Sequence, residues 1–255
     1  MAINEVFPNS LVKKVLFQIK YPTLFYIEDR IGDFQVRVME HLPESTLLYR
    51  KQVLFADFLP NKDHPEFPIK QSETQGDKVW QFKNQNVVVN ITSSSLDVSS
   101  DTHKTYNNPG APLRFRDILV AVLNNFFEVV KIPIILRMGL RYVNEIKEPE
   151  LTRDTYNDFI NTSINTDQIQ IPSVQSLDFA ATLKKDKYSL NLAERIKPFN
   201  DAISCILDFD AFALNVKVEE CFNTIDDLHE IISNQFESII KEPVYTIMRK
   251  PKTDE

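Results

Sequence analysis

Arg137 and Arg141 stand four residues apart in Leu136-Arg137-Met138-Gly139-Leu140-Arg141-Tyr142-Val143-Asn144, with Glu145 next. On a strand, residues four apart share one face and lie about 13 Å from each other, at roughly 3.3 Å per residue. Two guanidinia so placed suit an anionic group or a nucleic-acid backbone. They equally suit pairing with Asp or Glu on neighbouring strands, which would hold a half-exposed sheet face in register. Gln18 and Lys20 join them, because their strand is the counterpart of this one in the other half of the chain. Gln18, Lys20, Arg137, Arg141 and Asn144 are therefore the candidate binding residues.

Other reactive side chains do not assemble into a recognisable site. A catalytic base needs a nucleophile or a carboxylate within reach. His41 falls at a helix C-terminus, where positive charge is favourable for structural reasons alone. His64 and His103 lie in two polar loops, and His229 sits in the last long helix beside Glu230. No two histidines have the spacing of a zinc motif. Asp97 with Asp101, and Asp208 with Asp210, could hold Mg²⁺ at strand ends, but no Asp…Glu-x-Lys nuclease pattern accompanies them. Ser93-Ser94-Ser95 has no glycine flanks and reads as a turn. Cys205 and Cys221 have no metal-ligand spacing and are expected to be buried, reduced thiols. No catalytic residue, metal or cofactor is predicted.

Composition points the same way. The chain has only four glycines, Gly32, Gly76, Gly110 and Gly139, each isolated, so no phosphate-cradling loop, nucleophile elbow or dinucleotide fingerprint can be built. A net charge of −7 opposes nonspecific nucleic-acid binding, which runs on phosphate neutralisation. Hydrophobic content of 43% with 25% charged residues is ordinary for a globular protein. No signal-peptide core or membrane-length apolar run is seen, and the expected location is cytoplasmic.

These residues need elements to position them. Residues 14–21 alternate Val15, Phe17, Ile19 and Tyr21 with polar partners and read as a strand ended by Pro22. Residues 24–42 carry Ile27, Ile31, Phe34, Val38 and Leu42 on one helical stripe, stopped before Pro43. Strands are expected at 46–55 and 79–82, separated by a polar loop over 60–78. Residues 86–92 and 95–98 continue as a strand with a turn or bulge among 93–95. Trp80 is either a core anchor or an interface residue. A second loop over 101–112 leads to a helix at 113–131. The second half follows the same order: a strand at 134–146, a helix at 153–164, strands at 173–183, 188–196 and 202–216, and a helix at 225–240 with Thr224 as N-cap. Residues 184–187 form a hairpin turn, and the basic tail Arg249-Lys250-Pro251-Lys252 reads as a solvated end.

The two halves also echo each other residue by residue. Phe115, Ile118, Val122, Phe126, Val129 and Val130, shifted by 110, become Ile225, Leu228, Ile232, Phe236, Ile239 and Ile240. Leu96-Asp97-Val98, shifted by 111, becomes Leu207-Asp208-Phe209, and Asp33-Phe34, shifted by 125, becomes Asp158-Phe159. His229 has Leu119 as its counterpart, which favours packing over ligation. The expectation is an α+β fold built by internal duplication of a β-α-β-β-β-α unit, with halves 1–132 and 133–255 fused into one pseudo-symmetric domain. Its sheets are largely antiparallel, with the helices packed on one face and the other face left to solvent or a partner.

Four segments carry a resemblance across nearly the whole chain: Val15-Leu16-Phe17-Gln18-Ile19-Lys20-Tyr21-Pro22, Ile31-Gly32-Asp33-Phe34-Gln35, the Gly139-Leu140-Arg141-Tyr142-Val143-Asn144 strand, and Leu228-His229-Glu230 followed by Phe236-Glu237. They resemble a sporadically distributed prokaryotic family of uncharacterised proteins of roughly 250 residues. The resemblance implies a prokaryotic origin and patchy inheritance of the accessory, mobile or defence-associated kind, but no activity. The expected function is non-catalytic binding of a macromolecular protein partner, or of a second copy, through the exposed sheet face and long loops. The alternative is RNA or single-stranded nucleic-acid binding with or without cleavage, which requires a free positive patch around Arg137 and Arg141.

Overall fold

The computed structural model describes residues 7–50, 77–103, 105–108, 111, 114–164, 168–199 and 202–251. Nine strands run β1 (Val12–Lys20), β2 (Glu44–Arg50), β3 (Asp77–Lys83), β4 (Val88–Ile91), β5 (Ser95–Ser100), β6 (Ile135–Ile146), β7 (Leu177–Lys185), β8 (Tyr188–Phe199) and β9 (Ala202–Val216). They form one sheet in the order β2-β3-β4-β5-β1-β6-β9-β8-β7, and every neighbouring pair is antiparallel. Five α-helices accompany them: α1 (Ile31–Val38), α2 (Phe115–Val129), α3 (Tyr156–Phe159), α4 (Cys221–Ile239) and α5 (Glu242–Arg249). The class is α+β, as the strand-rich runs between helices predict.

β1 and β6 form the middle of the sheet, with Leu16 opposite Arg141. Alternation along each strand gives the sheet one apolar face. Phe82, Val89, Val98, Phe17, Leu140, Ala211, Leu190 and Leu183 lie successively opposite one another across eight strands. All but Leu183 at the edge are buried. The helices cover this face. Phe34 of α1 meets Phe82 edge-on at 5.2 Å, Phe126 of α2 meets Tyr21 at 5.7 Å, and Phe236 of α4 meets Phe209 edge-on at 6.2 Å. A single cluster of buried side chains runs from Leu11 to Met248, so both halves share one core.

Several local expectations are corrected. Residues 86–98 are not one strand: Thr92 Oγ1 accepts the backbone N–H groups of Ser94 (3.1 Å) and Ser95 (2.9 Å), closing a turn that folds β5 back on β4. The first half therefore has one more strand than the second. The expected helix over 24–42 is a 3₁₀ turn at Ile27–Arg30 followed by the short α1. The residues before the 3₁₀ turn are tied to the β4–β5 turn, where the backbone N–H of Leu24 bonds to Ser93 O (2.8 Å). The helix expected over 153–164 is the single turn α3, because Ile160 leaves it to bridge Ile240. α4 begins at Cys221, so Thr224 is a buried interior residue and not a cap. α5 is a helix that the sequence reading does not include; it buries Val244, Ile247 and Met248, while Arg249, Lys250 and Pro251 of the basic tail are exposed. Of the strand expected at 46–55 and the loop at 60–78, residues 51–76 lie outside the described residues, as do Pro109 and Gly110 of the second loop.

Phe126 is fully buried and meets the rings of Tyr21, just past β1, and Phe34 of α1. Phe126→Ala is expected to destabilise the fold by about 3–5 kcal/mol in urea unfolding, while Val36→Ala, at an exposed position, changes it by less than about 0.5 kcal/mol.

Candidate functional site on the open sheet face

The face opposite the helices carries the candidate residues. Arg137 and Arg141 both project there, as their four-residue spacing requires, and both are ion-paired. Arg141 grips Asp208 with two parallel bonds, Nε to Oδ1 at 2.7 Å and Nη2 to Oδ2 at 2.6 Å. Arg195 of β8 donates to the same Asp208 (3.1 Å) and reaches Asp178 of β7 at 3.2 Å. Arg137 donates Nη2 to both oxygens of Asp210, at 3.1 and 2.8 Å, and Asn191 adds a third bond to Asp210 at 3.1 Å. Thr182 extends the chain to Asn191 (2.8 Å), so the network spans four strands.

Gly139 makes the Arg137 contact geometrically accessible. Asp210 stands opposite Arg141, four residues along β6, so Arg137 must lie along its own strand to reach it. Its guanidinium crosses Gly139 and sits 4.7 Å from the centre of the Phe212 ring, opposite that glycine. A Cβ at residue 139 would stand 2.6 Å from Arg137 Nη1. Asp208 is 3% exposed. Burial by itself would raise its pKa, but hydrogen bonds and charge from Arg141 and Arg195 outweigh that and hold it below the ordinary carboxylate range. A depression of about 390 Å³ lies over the small Ala180 and Ala193, between Asn191 and Arg195. Both carboxylates on its wall, Asp208 and Asp210, are already paired.

The remaining candidates divide. Gln18 lies on the open face of β1 and donates to Asp97 Oδ1 at 2.6 Å. Lys20, opposite Arg137, is exposed at the strand end. Asn144 does not belong with them: it is 5% exposed on the helix side and, among the described residues, its side chain reaches only the Leu207 carbonyl, at 3.4 Å. An even-numbered residue of β6 cannot share a face with Arg137 and Arg141.

The histidines are scattered. His41 sits in the turn after α1, where its carbonyl accepts from Asn84 (2.8 Å). His64 is outside the described residues. His103 is buried against Phe115 with Nδ1 2.6 Å from Ser100 Oγ, and burial lowers its pKa. His229 stacks on Tyr106 at 4.0 Å and meets Tyr142 edge-on at 6.0 Å. Burial pushes its pKa down to about 4, against the opposing pull of Asp226. Asp226 is gripped by Arg116 through two bonds of 2.7 Å and by Tyr106 OH at 2.6 Å.

One polar centre was not legible from spacing. Glu194 is wholly buried in β8 and accepts from Tyr156 OH, Thr162 Oγ1 (2.5 Å) and the Ser163 N–H (3.2 Å). Its only sequence signal is a glutamate at an inward strand position, and its role is to fasten residues 156–163 onto the sheet. Cys205 lies 3.8 Å from Tyr156 OH, and burial raises both Cys205 and Cys221 to about 12, so neither supplies a thiolate at neutral pH. Among the described residues, no helix is long and apolar enough to cross a membrane.

No protein-family model matches the chain, and a search of curated proteins finds no match.

Two stability measurements follow from these environments. A carboxylate with a lowered pKa contributes stability above its unfolded pKa and loses it as pH falls through the folded value. Asp208→Asn is therefore expected to cost about 2 kcal/mol at pH 7, discounted for the half-exposed Arg141, with the difference shrinking below roughly pH 4 in urea unfolding. A histidine held neutral by burial destabilises the fold as pH drops below its unfolded pKa, because the unfolded chain takes up the proton first. His229→Leu is expected to flatten the decline in thermal stability between roughly pH 6.5 and 4, relative to the parent protein.

Proposed function

We propose that this protein is a non-catalytic, cytoplasmic binding module whose open sheet face receives a protein partner. The observation that carries the reading is the face itself: helices pack on one side of the nine-stranded sheet, and among the described residues no helix packs on the other. The centre of that face is a band around Leu16, Gln18 and Val143, all partly exposed, bordered by the exposed Lys14 and Lys20. Neither lysine makes an ion pair among the described residues, and both suit an acidic partner surface. The arginines that a nucleic acid would need are engaged by Asp208 and Asp210, so releasing them costs the pairs that they already make. That favours a protein partner over RNA or single-stranded DNA.

We further infer that the fold is an internal duplication, with halves 1–132 and 133–255 fused into one domain. Two contacts support this. Residues that are twofold equivalents can touch each other only where the axis passes. Arg116 and Asp226 are equivalents under the 110-residue shift, and they bond each other. Leu16 and Arg141 are equivalents under the 125-residue shift, and they stand opposite each other in the central strand pair. The resemblance to the patchily distributed prokaryotic family fits an accessory role of this kind.

The test is affinity capture from prokaryotic cells of the native host, comparing the parent protein with Leu16→Glu and Val143→Lys. The expected result is a stoichiometric protein partner retained by the parent and lost by both variants. Capture of nothing, or of a partner unaffected by either substitution, contradicts the reading.

A further inference from the structure

The sheet ends at β7, and this edge is unusual in being long and regular. Its pairing with β8 is unbroken from Leu177 opposite Ile196 to Lys185 opposite Tyr188. None of its nine residues is buried or is proline, and among the described residues its backbone bonds only to β8. Natural edge strands are ordinarily blunted by shortness, proline, a bulge or a covering segment, since a bare edge recruits another strand. β7 has none of the first three, and no described element bonds to its outer side.

We propose that β7 pairs with β7 of a second copy of this chain, antiparallel about Ala181, forming a twofold dimer with one continuous sheet. This does not depend on the partner reading of the open face. Lysines on an edge ordinarily oppose such pairing, and here the register decides their sign. With both helix layers on the same side of the extended sheet, residues opposite each other must share a face, so the register can move only in steps that preserve the alternation. Among those registers, only the one centred on Ala181 sets Asp178 opposite a lysine, Lys184, and it does so twice by symmetry. The same register sets Phe179 opposite Leu183 on the helix side, also twice, and Ala180 opposite Thr182. The next register one way sets Asp178 against Thr182, and the other way sets it against Asp186, a like charge. Asp178 is 68% exposed and accepts from Arg195 Nε at 3.2 Å with both oxygens, and Lys184 is exposed with no ion pair among the described residues. Lys184 is open to a partner strand, and the exposed Asp178 has room to take it as a second cation beside Arg195.

Sedimentation equilibrium of the full chain tests this directly. The parent protein is expected to dimerise. Asp178→Lys and Lys184→Asp each bring like charges together at two symmetric places and are expected to weaken the dimer about tenfold or more. An equimolar mixture of the two variants restores both opposite-charge contacts and is expected to dimerise like the parent. Circular dichroism, expected to be unchanged, and a cooperative thermal transition show that each variant is folded, with the melting temperature falling only as far as loss of the dimer requires. A parent protein that stays monomeric, a dimer that neither variant weakens, or a mixture that does not recover would each overturn the proposal.

Discussion

Everything in this molecule depends on burying one face of a continuous sheet across the β1·β6 pair. The apolar row from Phe82 to Leu183 crosses that seam at Phe17 and Leu140, both fully buried. Neither half has a core of its own in the sense of a closed cluster. Phe17 sits under helices of the first half and beside strands of the second, and the hydrophobic cluster is contiguous from end to end. At about 25 cal/mol per Å² of apolar surface, severing this seam would expose the largest side chains on both sides at once. The ion pairs and hydrogen bonds of the open face contribute far less to stability, because most of their groups are partly solvated.

The open face has a different logic. Charges on it are arranged by the period-two geometry, which brings Arg137, Arg141, Arg195, Asp208 and Asp210 to one side of adjacent strands. Asp208 is the most buried of them, and two guanidinia neutralise it. Such a network specifies register, since a shift by one residue would carry each charge to the apolar side. It also leaves Lys14 and Lys20 as exposed cations near the centre with no ion pair among the described residues. A glycine completes the arrangement: Gly139 is kept bare by the guanidinium that lies across it.

Much of this was legible in the sequence, and the failures have physical reasons. Strands with clean alternation, such as β1, β6 and β9, were read nearly to their ends, because one face is buried and the other is not. The choice of pairing for the arginines was open until the partners were known, since carboxylates 67 and 73 residues away supply it. Asn144 was misjudged for a simpler reason: parity alone sets it on the buried side. The turn at 93–95 was one of two readings that the serine run allowed, turn or bulge; that it reverses the chain fully was not legible, because a threonine side chain makes it, without glycine or proline to mark it. Helix α3 is shorter than its apolar stripe because the bridge from Ile160 to Ile240 captures its flanking backbone. Glu194 gave only the signal of an inward strand position, because nothing in a sequence announces which inward glutamate will find three donors.

Native-state hydrogen exchange of the β1 and β6 amides tests the central claim most directly. If the seam makes the two halves one cooperative unit, the amides shared by Phe17, Leu140 and their neighbours exchange only through global unfolding, and the slowest amides of β4 and β8 share the same opening free energy and denaturant dependence. Exchange in which the β8–β9 region stays protected while β1 and β5 open separately would contradict it, and would mean that the halves fold as independent domains.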